Sequence, residues 1–150
     1  QKNADLAKVA YGGNYDQVME APVTIALFTD TDLQRRARKI ARVGGVKNFS
    51  DEQLQYFMQN LPAEFARYDA QQTSDYLALN AGLVAMNLVL ALTDQGIGTN
   101  IILGFDKSKI NEVLDIEERF RPEVLITVGY AAEKVEPSYR LPVDEIIDKR

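Results

Sequence analysis

Residues 76–92 of this chain, YLALNAGLVAMNLVLAL, contain no Asp, Glu, Lys or Arg. The run is too long for one strand, and its Leu, Ala and Met content favours helix. Wound as a helix it is apolar on nearly every side, which predicts burial all round. Leu77, Leu79, Leu83, Val84, Met86, Leu88, Val89, Leu90 and Leu92 each gain about 1.5–3 kcal/mol on full burial, so a fold that leaves them all in water is excluded. Ala78, Ala81, Gly82 and Ala85 recur at helical spacing and narrow one side, which predicts a close helix-helix contact. Thr73, Asn80, Asn87 and Asp94 fall one heptad apart and draw a polar stripe that needs partners. The run is short of the ~20 apolar residues of a bilayer span, and its two Asn and the following Asp94 speak against one. Two readings stay open: the core helix of a monomer, and a helix at the centre of a two-fold dimer.

The remaining composition narrows the chemistry. A chain of 150 residues, 46% of them hydrophobic, suits a single domain that buries roughly two-thirds of its unfolded surface. A net charge of −5 disfavours nucleic acid and anionic membrane as partners, since both call for a basic surface. The sequence shows no signal-peptide pattern, lipidation motif or cysteine, so the expectation is a soluble cytoplasmic protein without disulfides. With neither His nor Cys it has no Ser-His-Asp triad, thiol nucleophile, zinc-finger site or imidazole proton shuttle. What remains is carboxylate or Lys chemistry, binding without catalysis, or chemistry borrowed from an organic cofactor.

Along the chain, Asn3 is expected to cap a short helix with Leu6, Val9 and Ala10 on one face, ended by Gly12 and Gly13. This helix has no preceding element to pack against. Residues 23–29, VTIALFT, read as a strand covered on both faces. Thr31 caps a predicted helix 32–42 whose Arg35, Arg36, Arg38, Lys39 and Arg42 form a cationic cluster, read as a solvated face or as a surface for a dinucleotide phosphate. Ser50 and Gln53 fit a capping box for a helix 51–59 with Leu54, Phe57 and Met58 inward, broken at Leu61-Pro62. One long helix is then expected over 64–94. Tyr56, Phe57, Phe65, Tyr68 and Tyr76 fill core or line a flat ligand. Gly96 and Gly98 end the rod, residues 99–103 read as a second buried strand, Asp106 caps a helix with Ile110, Val113 and Leu114 inward, and 123–129 form a third buried strand. From about residue 133 a polar, Pro-bearing arm carries Leu141, Val143, Ile146 and Ile147, which need something to embrace.

The order of pieces in GIGTNIILGFDKSKINEVLDI (96–116), RPEVLITVGYAAE (121–133) and RLPVDEI (140–146), preceded by the apolar rod and the APVTIALF strand, resembles the nitroreductase family of flavin enzymes. The resemblance implies an α+β sandwich, a central sheet flanked by helices, with the long apolar helix buried at a homodimer interface where FMN sites are built. It implies a hydride passed from NADH or NADPH through FMN to a nitroaromatic, quinone or similar small aromatic acceptor. By the same likeness residues Ile102, Leu103 and Gly104 belong to the cofactor site, the Leu103 and Gly104 amides facing the reactive edge of the isoalloxazine, and Arg140 reaches the FMN phosphate. No catalytic side chain and no metal are implied. Ser138 stands two before Arg140, where the family often has Lys, which leaves Arg140 as the cation of that pair.

Physical chemistry supports the same residues. A glycine at a strand end lets backbone amides approach a planar ligand, and an Arg offers a forked donor set matched to phosphate. Without the likeness, Gly104 is a turn glycine before Asp106 and Arg140 a surface ion pair. Family members also carry an Arg-rich helix and a Pro-Ser, Asn, Gln-Pro-Trp segment with a strand ahead of the matching region. The expectation is therefore an incomplete representation of a longer protein, with part of the FMN site outside these residues. A non-catalytic dimeric module that binds flavin, or a binder of another flat heterocycle, is the alternative.

Overall fold

The computed structural model describes residues 2–44, 49–133 and 138–148. In chain order the elements are α1 (Lys2–Ala7), α2 (Asn14–Glu20), β1 (Val23–Asp30), α3 (Leu33–Gly44), α4 (Asp51–Phe65), α5 (Ala70–Asp94), β2 (Gly98–Ile102), α6 (Ile110–Leu114), β3 (Phe120–Gly129) and α7 (Val143–Ile146). The three strands form an antiparallel sheet in the order β1-β3-β2. This is the expected α+β sandwich with helices on both faces of the sheet.

Strand alternation sorts the two cores. Leu125 and its partner Ile102 point to one face, where Leu6, Ala7, Val18, Phe105 and Ile110 from α1, α2 and the α6 region meet them. Val124 and Ile126 point to the other, where Ala85 of α5 packs with Leu88 and Val89 beside it. The helix α1, which the sequence left without a neighbour, is thus tied into the first core. Asn3 lies inside it and donates to the Ala21 carbonyl at 2.9 Å instead of capping it. The glycines after α1 do not merely end it: Gly12, at φ 55°, leads into α2, a helix that the sequence reading lacks.

Central β3 is buried over residues 122–127, as its run of apolar residues requires. Its neighbours depart from expectation because both are edge strands. β1 is only half-buried, and β2 stops at Ile102 with Asn100 and Ile101 exposed. Pro122 lies inside β3, not before it. It is accommodated because β2 pairs only with residues 125–129, and because the β1 register shifts between Leu27 and Phe28 where Glu123 bulges.

The helical part differs in its breaks. Thr31 donates to the Arg119 carbonyl, and Asp32 caps α3 by accepting from the Arg35 amide at 2.9 Å. The Ser50–Gln53 capping box is present. The helix α4 continues through Pro62, whose ring is buried, and breaks at residues 66–69. A second capping box, Asp69 with Gln72, restarts it as α5. Phe57 and Met58 are exposed, not inward, since little but α3 covers α4. Phe65, Tyr68 and Tyr76 pack ring against ring at the α4–α5 corner, with centroids 5.2–5.9 Å apart.

The long rod is not enclosed by its own chain. Only Leu77, Ala81 and Ala85 are buried; Ala78 and Gly82 of the narrow side are exposed, and Ala85 is the residue of that side that joins the core on the sheet. Leu79, Leu83, Met86 and Leu90 stand 64%, 63%, 48% and 57% exposed. The helix is long and apolar enough to cross a bilayer, but it packs on a sheet with open edges, which hydrocarbon does not accommodate.

A polar knot fixes the start of α5 to the sheet. Arg121 donates to Ser74 Oγ at 2.8 Å and to the Ser74 carbonyl at 3.1 Å, and pairs with Glu123 at 2.7 Å. Thr29 donates to the same Glu123 oxygen. Glu123 is 8% exposed, so Arg121→Ala strands a buried carboxylate and should cost about 3 kcal/mol. Thermal melts check this, and Arg121→Met with Glu123→Leu, which removes both charges, should recover much of the loss.

Candidate functional site at the end of β2

The turn that follows β2 is held from both sides. Ile102 is buried in the first core, Leu103 is 68% exposed on the α5 side, and Phe105 returns to the core and bridges Ala10. The Asp106 amide donates to the Val9 carbonyl at 2.7 Å. Between these anchors the Gly104 carbonyl accepts from the Tyr11 amide at 2.9 Å and from Asn14 Nδ2 at 3.0 Å. A Cβ added at Gly104 would sit 2.6 Å from Asn14 Nδ2, so a larger residue there requires the Asn14 side chain to move. One turn further along α2, Asn100 Nδ2 donates to Gln17 Oε1 at 2.7 Å. Asn100, Ile102 and Gly104 share one side of the strand and meet Gln17, Val18 and Asn14 in turn.

Ile102, Leu103 and Gly104 are thereby brought together in one rigid turn. Arg140 is not joined to them by any hydrogen bond or ion pair: it lies on the exposed arm and donates to the Tyr139 carbonyl. Leu141, Val143, Ile146 and Ile147 of the same arm are exposed with it. Asn14 was missed by the sequence reading. The one hint was a Gly-Gly-Asn run, read there as the end of one helix and not as the start of the next.

A separate cleft of about 320 Å³ lies between β1, α3 and α5, walled by Leu33, Ala37, Leu77, Ala81 and Phe120. Asp30 at its edge is neutralised by Arg119 at 3.1 Å. Arg35, Arg36, Arg38 and Lys39 of α3 are exposed, which fits a solvated face; the Arg42 side chain lies outside the described residues.

Residues 1–130 match the model of the Nitroreductase family. The chain belongs to the nitroreductase family. A Streptococcus pyogenes protein provisionally named an NAD(P)H nitroreductase is 60% identical over 150 residues, covering 100% of this chain and 74% of its own. A crystal structure of a nitroreductase family protein from Streptococcus pneumoniae TIGR4 superposes with a TM-score of 0.94 at 83% identity, over 100% of this chain and 75% of that one. A provisionally named nitroreductase from Exiguobacterium sibiricum, solved in complex with FMN, superposes with a TM-score of 0.89 at 28% identity, over 99% of this chain and 71% of that one. The family and fold expected from the order of motifs are therefore those of the molecule.

The turn has one ionisable clamp. Asp106 accepts from the Ser108 hydroxyl at 2.6 Å and amide at 3.0 Å and pairs with Lys109 at 3.2 Å. The Ser108 hydroxyl first, then Lys109, hold its carboxyl below the ordinary carboxylate range. Because the folded value is depressed, the stabilisation is present above the unfolded pKa and is lost as pH falls through the folded one. Proton exchange at the Ser108 amide should therefore lose protection on acidification, beyond the intrinsic change, and Asp106→Asn should show that loss already at neutral pH.

Proposed function

We propose that this protein is an FMN-dependent NAD(P)H oxidoreductase that reduces nitroaromatics, quinones or similar small aromatic acceptors, working as a cytoplasmic homodimer. The observation that carries the reading is the FMN complex of a relative that superposes on 99% of the chain at 28% identity. The donor inventory of the turn supports it. The Gly104 carbonyl is already taken by Tyr11 and Asn14, so the turn offers N–H groups, which suit a ring edge that gains negative charge. Ile102, Leu103 and Gly104 would hold the isoalloxazine edge, and Arg140 would hold the phosphate with a forked donor set. When bound, FMN supplies the hydride and electron chemistry that a chain without His and Cys lacks.

The exposed side of α5 supports the dimer. Leu79, Leu83, Met86 and Leu90 follow the alternating four- and three-residue steps of a left-handed helix seam, the pattern a second copy of the same helix fills. Ser138, in place of a cation, favours a second reading in which the same fold binds flavin without turnover.

The full-length protein should be yellow, bind FMN by fluorescence titration, and oxidise NADH or NADPH when a nitroaromatic or quinone is supplied. Protein that ignores added FMN overturns the reading, and FMN binding without turnover across that panel gives the second one. Arg140→Ala should weaken FMN binding roughly tenfold or more, since a charge-assisted bond contributes about 1.5–3 kcal/mol. Leu83→Glu should convert a dimer to a monomer in sedimentation, with loss of flavin.

A further inference from the structure

We propose that the cleft between β1, α3 and α5 takes the adenine nucleotide end of the NAD(P)H donor, with Arg36 and Lys39 of α3 holding its phosphates. The proposal rests on the oxidoreductase reading above and adds a site for the half of the donor that carries no hydride. Charge is the first argument. From Leu33 to Gly44 the helix α3 has no acidic residue, and the two carboxylates just before it are engaged. Asp32 caps the helix at the Arg35 amide, and Asp30 pairs with Arg119 at 3.1 Å. Among the described residues, the side chains of Arg35, Arg36, Arg38 and Lys39 make no hydrogen bond or ion pair. In a chain of net charge −5 they form a local positive field, which draws a small anion.

A merely solvated face needs no cavity beside it, and this one has a cavity. Arg36 and Ile40 line the cleft of about 320 Å³, and Arg36, Lys39, Ile40 and Val43, on one face of α3, line a second hollow next to it. The opposite walls of the cleft carry the rings of Phe65, Tyr76 and Phe120, flat apolar surface on a scale that suits one small molecule and not a polymer. Asn80 lies in the same wall. Its Nδ2 is used on the Tyr76 carbonyl at 2.7 Å, so its Oδ1 is left to accept from the amino group of a base. Asp30 does not oppose a phosphate here, because Arg119 neutralises it. An aromatic wall, one acceptor and two cations together match an adenosine phosphate. Nucleic acid or an anionic membrane would meet the acidic remainder of the surface. Asn80 and Val84 of the cleft also stand next to Leu79 and Leu83 of the seam proposed above, so the cleft opens beside the interface to which that reading assigns the flavin.

In FMN-loaded full-length protein, the double variant Arg36→Gln, Lys39→Gln should raise KM for NADPH and NADH roughly tenfold, the scale of a lost charge-assisted contact. Its kcat should change little, since binding remote from the reacting atoms is lost equally from ground and transition states. Toward N-benzyl dihydronicotinamide, a hydride donor with neither phosphate nor adenine, the double variant should match wild type. Wild-type KM for NADPH should climb with salt more steeply than that of the variant. ADP should compete with NADPH, and inorganic phosphate at the same concentration should not, because it lacks the ring. Lys8→Gln, which removes an exposed cation of α1's end, should leave KM for both dinucleotides unchanged. Wild-type KM values for NADPH and NADH in the double variant would overturn the proposal. An equal loss toward the benzyl donor would make the two cations merely structural and overturn it too, as would phosphate inhibiting as strongly as ADP. Protein that binds no FMN would instead overturn the reading on which the proposal stands.

Discussion

The contact between the small-residue side of α5 and the middle of β3 governs this molecule. Ala85 lets the helix backbone settle close to Val124 and Ile126, and Leu88 and Val89 close the same layer. A helix with apolar residues all round can bury only one side against a sheet. Choosing the alanine side leaves the larger residues, Leu79, Leu83, Met86 and Leu90, outside. Had the leucines faced the sheet, the helix would stand farther off. The polar knot of Arg121, Glu123, Thr29 and Ser74 then selects one rotation and one register at the N-terminal end of α5. Such a network contributes specificity more than net stability, since its ions are withdrawn from water.

Elements with a period or a breaker of their own were readable in advance. The rod, β3 and the glycine reversal at Gly96 are set by local composition, and the Ser50–Gln53 box by a local reciprocal bond. Burial of the strands was not readable, because a half-buried edge strand and a fully buried central one carry the same apolar letters. The order β1-β3-β2 decides which is which, and that order is a tertiary fact. The helix break likewise moved from Pro62 to residues 66–69. Pro62 is kept helical by its burial, whereas Asp69 and Gln72 offer a restart that propensity alone does not rank above a proline.

The candidate site divides along the same line. Ile102, Leu103 and Gly104 are contiguous, so a strand-ending glycine was enough to single them out. Asn14 was invisible because its partner is 90 positions away and no spacing rule links a helix start to a distant carbonyl. Arg140 came from likeness to a family, and its place on an exposed arm shows why the residues alone did not demand it: among the described residues its hydrogen bond is to the neighbouring Tyr139 carbonyl. The outward apolar residues of the arm and of α5 are likewise exposed. Both lie outside the two cores of the subunit.

A chain with no imidazole and no thiol has few side chains that can set charge near neutral pH, which raises the weight of its backbone groups. Side-chain donors can be replaced one at a time, but a backbone donor is only as well placed as the elements at its two ends. Here those ends are Ile102 and Phe105, both almost fully buried in one cluster with Val18 of α2. The exposed Leu103 and the half-buried Gly104 between them have little freedom left once Tyr11 and Asn14 hold the carbonyl. The first core thus does two things at once: it stabilises the α1–α2 layer, and it holds both ends of the turn after β2. It follows that core substitutions such as those at Val18 or Ile110 act on the turn through the packing that α2, α6 and β2 share.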